Sequence, residues 1–184
     1  NTHGSETLNQ KKTYFKITNK GFRDTPLKNK KSLISVFGDS YAFCRYVNDE
    51  KTWEAKLEKK IKYRVQNFGV GNFGLDQSFL KYKKTKFSKS TKLIIFAFVP
   101  ETIVRINSYW KHYNEFGNKF GFKPFFKIKN NKLVLKKNVL YKNIKLDYLK
   151  KEILKIKKED IFYKKKFQYF MFKFSKSQLS KLHR

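Results

Sequence analysis

Apolar runs and polar stretches alternate along the chain in an order that predicts strands separated by helices. Residues 33–37, Leu-Ile-Ser-Val-Phe, form a β-branched and apolar run that stops at Gly38-Asp39-Ser40. That is the pattern of a buried strand delivering a serine to its C-terminal edge, where open α/β sheets place their ligands. Over 52–62, Trp53, Leu57 and Ile61 recur at helical spacing among charges, which predicts an amphipathic helix lying on a sheet, with Thr52 as its N-cap. A second strand over 63–67 runs into a loop over 67–77 that is rich in glycine and asparagine, and a helix over about 75–84 follows. The run over 92–99 is nearly all apolar, as in parallel strands buried on both faces. It ends at Pro100-Glu101-Thr102, and a further helix is expected from Glu101 toward Tyr113. Strand, helix, strand, helix, strand, helix predicts an α/β fold, a doubly wound sheet with right-handed crossovers.

The flanks read differently. Residues 1–31 are polar, with turn signals at Asn19-Lys20-Gly21 and Asp24-Thr25-Pro26, and are expected to form an N-terminal arm that reaches the domain at Gly21-Phe22-Arg23-Asp24. The domain itself spans 32–184, with an insertion at about 117–140. Within the insertion, 125–135 predicts a β-hairpin turning at Asn130-Asn131, because asparagine tolerates the positive φ of such turns. Two C-terminal helices are expected at about 145–158 and 162–182. Their lysine-rich faces suit either solvent or an anionic membrane.

Composition narrows the partners. With 184 residues, 40% of them hydrophobic, the chain can bury one proper core. Lys plus Arg is 44 against 14 Asp plus Glu, a formal charge of +30, yet only five of the basic residues are arginines. The excess is spread along the chain beside abundant Phe, Tyr, Ile and Asn, all residues of A/T-rich codons, so codon composition explains it without a dedicated partner. Weak attraction to an anionic surface remains open. No specific nucleic-acid partner is expected, because readers of nucleic acid favour arginine for bidentate contacts.

Neither a metal nor another cofactor is expected: His3, His112 and His183 are far apart, and Cys44, the single cysteine, reads as a small buried hydrophobe. The longest apolar run falls well short of the roughly 20 residues of a membrane span, and the compartment is left undetermined.

Ser40 is the candidate nucleophile, although Gly-Asp-Ser by itself would also serve as an ordinary turn. Three separated stretches form one pattern: Gly38-Asp39-Ser40 after the first strand, Asn67-Phe68-Gly69-Val70-Gly71-Asn72-Phe73-Gly74-Leu75-Asp76-Gln77 after the second, and Val99-Pro100-Glu101-Thr102 after the third. On these blocks the chain resembles the SGNH/GDSL hydrolases, a family of serine esterases. Gly21-Phe22-Arg23-Asp24 and Ile103-Val104-Arg105 resemble a bacterial branch of that family. The resemblance covers about residues 19–135 and implies a flavodoxin-like three-layer sheet with its parallel strands in the order 2-1-3, the first strand central.

It implies that the Ser40 oxygen attacks an ester carbonyl. The backbone N–H of Ser40, one from the Gly71-Asn72 segment and a third-block side chain would then hold the oxyanion, with Gly38 and Asp39 in support. Two departures stand out. Asn72 falls where relatives carry glycine, a harmless change for a backbone donor if asparagine takes the left-handed conformation. Glu101 falls where relatives carry asparagine, and a carboxylate has no N–H to donate. Glu101 is expected either to turn into the site, desolvated, or to face solvent.

The family's histidine base lies in an Asp-x-x-His block, and none of the six aspartates here has histidine three positions on. The expectation is therefore an ester hydrolase fragment acting on a small ester or an acylated carbohydrate. The alternative is a non-catalytic module of the same fold that binds anionic glycan or a membrane surface.

Overall fold

The computed structural model describes residues 1–106 and 123–138. The chain divides into two compact units, Asn1–Ile103 and Val104–Arg184. The polar N-terminal stretch is more ordered than an extended arm. It folds as an antiparallel hairpin of β1 (Thr2–Leu8) and β2 (Lys11–Ile17), with Thr2 opposite Ile17 and Leu8 opposite Lys11. Its two-residue turn places Asn9 and Gln10 at φ +47° and +64°, the doubly positive arrangement that matches the twist of hairpin strands. Glutamine is not a residue that announces such a turn, so the pattern did not reveal it.

The central element is β3 (Ser32–Gly38), buried along nearly its whole length. It pairs in parallel with β4 (Arg64–Asn67) on one side and β5 (Leu93–Ala97) on the other, giving the order β4-β3-β5. This is the expected 2-1-3 arrangement with the first strand of the trio central. Side chains alternate across it. Ile34 and Val36 join Ala42 and Val65, with Leu57 and Ile61 packed against them. On the opposite side, Phe37 lies with Phe22 and Phe68, and Tyr82 and Phe96 close the cluster. The Phe37 and Phe68 rings stack at 4.9 Å between centroids, and Tyr82 meets Phe37 edge-on at 5.7 Å. Helices thus flank a three-stranded parallel sheet.

Two expectations need correction. Among the described residues β5 pairs only with β3, and it is not buried on both faces: Leu93 is exposed and the residues after it are half-buried. The helix after Thr52 is α2 (Trp53–Ile61); the Thr52 side chain does cap it, accepting the Ala55 N–H at 3.1 Å. Its buried face, however, carries Glu54, Ala55 and Glu58, while Trp53 is exposed.

Burial of Glu58 is stabilised by hydrogen bonds rather than by a cation. One carboxylate oxygen accepts from the Thr25 hydroxyl at 2.6 Å and the Val65 N–H at 2.8 Å, and the other from the Leu27 N–H at 3.1 Å. Glu58 thereby fastens the segment after Asp24 to the start of β4.

The remaining helices are α1 (Ser40–Phe43), α3 (Leu75–Lys84) and α4 (Ile103–Ile106), the last preceded by a 3-10 turn over Pro100–Thr102. In the second unit, β6 (Phe125–Lys129) and β7 (Lys132–Lys136) form the expected hairpin, with Asn130 and Asn131 at φ +50° and +55°. The helix expected toward Tyr113 is described only as far as Ile106. Those expected at 145–158 and 162–182 lie outside the described residues. Among the described residues no helix is long and apolar enough to cross a membrane.

Candidate active site

At the end of β3 the chain makes a sharp strand-to-helix corner. Gly38 sits opposite Ala97 in the parallel register, and a Cβ on it would lie 1.9 Å from the Ala97 carbonyl oxygen and 2.6 Å from the Ala42 Cβ. Only glycine fits between β5 and α1. Asp39 keeps an extended backbone and caps α1, its Oδ1 accepting the Tyr41 N–H at 2.8 Å. Asp39 is buried, and its second oxygen has no hydrogen-bond partner among the described residues.

Ser40 is the first residue of α1 and is half-buried. The helix stops after four residues because Cys44 adopts the left-handed conformation at φ +58°, its N–H turned back to the Ser40 and Tyr41 carbonyls.

The second block runs alongside. Past β4 the Phe68 N–H donates to the Val36 carbonyl at 2.7 Å and the Val70 N–H to the Gly38 carbonyl at 3.0 Å, so the loop tracks β3 up to the corner. The Asn67 side chain joins loop to helix: its amide donates to the Ala42 carbonyl at 2.8 Å while its oxygen accepts the Gly69 N–H at 2.9 Å. Gly69 backs directly onto α1, where a Cβ would meet the Phe43 nitrogen at 2.4 Å.

Asn72 adopts φ +66°, the left-handed conformation expected of it, and the space beside Gly71 is open. Among the described residues no acceptor engages the backbone N–H of Ser40 or of Asn72. The corner at Gly38 is thus bonded to the second block and paired with the end of β5.

Glu101, in the 3-10 turn after β5, is exposed. The version in which it enters the site desolvated is therefore set aside, and its solvent-facing alternative stands. Of the histidines, His3 is exposed on β1, and His112 and His183 lie outside the described residues. Among the described residues no group of three His, Cys, Asp or Glu is placed to hold a metal.

The side chain that organises this corner is one to which the sequence reading gave no role. Arg23 is 1% exposed. Its guanidinium donates to the Phe43 carbonyl at 2.6 Å, the Cys44 carbonyl at 2.8 Å, the Val47 carbonyl and, at 2.6 Å, the Asp49 carboxylate. With Asn67 on Ala42, it satisfies the C-terminal carbonyls of α1, which a four-residue helix leaves without intrahelical partners. The planar fork with five donors suits such work, and a lysine ammonium does not reproduce it.

Arg45 and Arg64 act similarly, pairing with Glu6 at 2.7 Å and Asp24 at 3.0 Å and each contacting an aromatic face. The signal was present in the composition: arginine is rare in this chain, and these three each stand where one side chain must reach several partners.

Behind α1 the half-buried Cys44 meets the buried Glu54. Cys44 Sγ is 3.4 Å from Glu54 Oε2, and Glu54 Oε1 has no partner among the described residues. Desolvation raises the Glu54 carboxyl to about 7, and burial together with that neighbouring carboxylate pushes the Cys44 thiol up to about 12. Both influences hold the Cys44 thiol in its protonated form at neutral pH. Burial lowers Lys81 to about 8, and its ammonium donates to the Gly21 and Phe68 carbonyls at 3.1 and 3.0 Å.

No family model, curated protein or solved structure matches the chain.

Proposed function

We propose that the first unit is the serine-bearing part of an SGNH-like ester hydrolase, with Ser40 as nucleophile. On this reading the fold is the doubly wound, flavodoxin-like sheet of that family, with a hairpin insertion after its third strand and C-terminal helices. The observation that carries the proposal is the corner itself. Ser40 stands at the C-terminal end of the central parallel strand, on a helix pinned by Arg23 and Asn67, next to a loop whose Asn72 N–H meets no acceptor among the described residues. A hydroxyl attacking an ester carbonyl needs donors where negative charge develops, and the Ser40 and Asn72 N–H groups are the candidates.

It also needs a base. His3 is exposed on β1, so in this proposal the base is a histidine from another part of the protein. The substrate class is an O-acyl ester, on a small molecule or a carbohydrate.

A fluorophosphonate probe applied to the complete gene product should label Ser40, with Ser40→Ala abolishing the label. A folded protein left unlabelled would remove the nucleophile assignment and favour the non-catalytic module. Because Glu101 is exposed, Glu101→Asn is expected to leave the labelling rate within about twofold, as surface substitutions generally perturb little. A large loss would show that Glu101 has a positive task in the site.

A further inference from the structure

The β6–β7 hairpin is sorted by face. Residues opposite one another in an antiparallel pair share a side of the ladder, and successive pairs alternate. One face carries Phe126 opposite Leu135 and Ile128 opposite Leu133; the other carries Phe125 opposite Lys136, Lys127 opposite Val134 and Lys129 opposite Lys132. The apolar face is open at its outer end, with Ile128 79% exposed, Leu133 62% and Leu135 40%. Lys129 and Lys132 flank the Asn130-Asn131 turn and are exposed too.

An apolar strip at a hairpin tip, backed by lysines in a chain of net charge +30, calls for a partner that is apolar and anionic at once. Acidic glycan and nucleic acid offer the charge without an apolar phase for Ile128 and Leu133. The outer leaf of an anionic bilayer offers both.

We infer that the β6–β7 hairpin is a membrane-docking element that inserts Ile128, Leu133 and Leu135 into the boundary between headgroups and acyl chains of an anionic lipid surface. The dimensions agree: two apolar pairs two residues apart span about 7 Å along the strands, and interfacial elements bury roughly 5–10 Å into that boundary. Lys129 and Lys132, on long flexible stems at the edges of a two-stranded ribbon, reach the phosphate layer while the apolar face enters beneath it. This assignment is independent of the serine chemistry and stands or falls without it.

Sedimentation with vesicles tests it on the full chain. Vesicles of phosphatidylcholine and phosphatidylglycerol at 7:3 should bind the protein, pure phosphatidylcholine should bind it at least tenfold more weakly, and added salt should weaken the anionic case. The doubly substituted Ile128→Ser, Leu133→Ser protein keeps every charge and should lose at least tenfold in binding. Lys129→Gln with Lys132→Gln keeps the apolar strip and should lose several-fold. Far-UV circular dichroism confirms that each variant is folded.

Native-like vesicle binding by the folded serine variant would overturn the proposal, since attachment would then be by charge elsewhere in the chain. Absence of vesicle binding by the native protein would overturn it as well. So would binding of soluble heparin that depends on the two lysines and ignores Ile128 and Leu133, because the partner would then be an acidic glycan.

Discussion

The two hairpins share a turn and differ in everything around it. Both reverse in two residues with positive φ, Asn9-Gln10 in one and Asn130-Asn131 in the other. The first is used as a brace. Phe15 on β2 lies over Gly4 and meets the Phe43 ring edge-on at 5.0 Å, while Glu6 on β1 accepts from the Arg45 Nε at 2.7 Å and the Tyr46 N–H at 3.0 Å. In return Asn48 and Asp49 accept the Tyr14 and Lys16 N–H groups at 2.9 and 3.0 Å, closing part of the open edge of β2. The loop that follows the candidate nucleophile is thereby held from two strands and from Arg23. The second hairpin instead leaves Ile128 and Leu133 largely in water. Equal backbone geometry does not imply an equal role; the first hairpin is bonded into its unit, and the second offers its apolar face outward.

That contrast can be broken by substitution. The largest effect is expected for Arg23→Met, which removes the donor of three carbonyls and leaves Asp49 without its cation. Breaking a buried ion pair by removing one partner costs roughly 3–5 kcal/mol, read as a fall in the urea midpoint, and Arg23→Lys should recover only part of it. An Arg23→Met protein as stable as the native one would show that the brace is dispensable.

Next is Gly69→Ala. The added methyl meets α1 backbone, so the loop and helix must separate, at about 1–3 kcal/mol for overpacking. Because the displaced residues belong to the Ser40 corner, labelling of Ser40 should fall by more than the loss of stability explains.

A third test uses pH. The Glu54 carboxyl is raised to about 7 in the folded protein. The folded state therefore holds this proton where the unfolded chain, near 4.5, has released it. The associated stability is complete below about pH 4.5 and is lost as pH rises through 7, a change on the order of 3 kcal/mol at 1.36 kcal/mol per unit. Urea unfolding at pH 5 and pH 8 should show the native protein losing stability across that interval and Glu54→Gln losing much less. Lys81 acts in a separate window with the opposite sign: its lowered value makes folding more favourable as pH climbs above about 8.

The smallest effect belongs to the second hairpin. Ile128→Ser and Leu133→Ser should each shift stability by within about 0.5 kcal/mol, as expected of exposed positions. A loss of several kcal/mol at either would mean that the outer face is packed after all.

Some of this architecture was legible in the chain and some was not. The run over 33–37, the helix cap at Thr52, the turn at Asn130-Asn131 and the left-handed Asn72 all follow from local chemistry: β-branched periodicity, a hydroxyl beside free N–H groups, and asparagine's tolerance of positive φ. The parallel pairing followed from strands alternating with helices, and the order β4-β3-β5 from the resemblance carried by the three blocks. The first hairpin was hidden because its strands are polar and its turn contains glutamine. On α2 the packing of Leu57 and Ile61 was legible, but the burial of Glu54 and Glu58 was not, because both look like solvent positions.

Their burial is decided by partners distant in sequence. Glu58 accepts from Thr25 and Leu27, more than 30 positions away, and from Val65; Glu54 is enclosed beside Cys44. Arg23 is the clearest case. The sequence alone shows one of a few arginines in a chain otherwise supplied with lysine, and so marks a place where a multi-donor fork is needed. Only the tertiary structure decides that its partners are the carbonyls at 43, 44 and 47. Those groups carry no side-chain signature, and a helix of four residues cannot satisfy them from within.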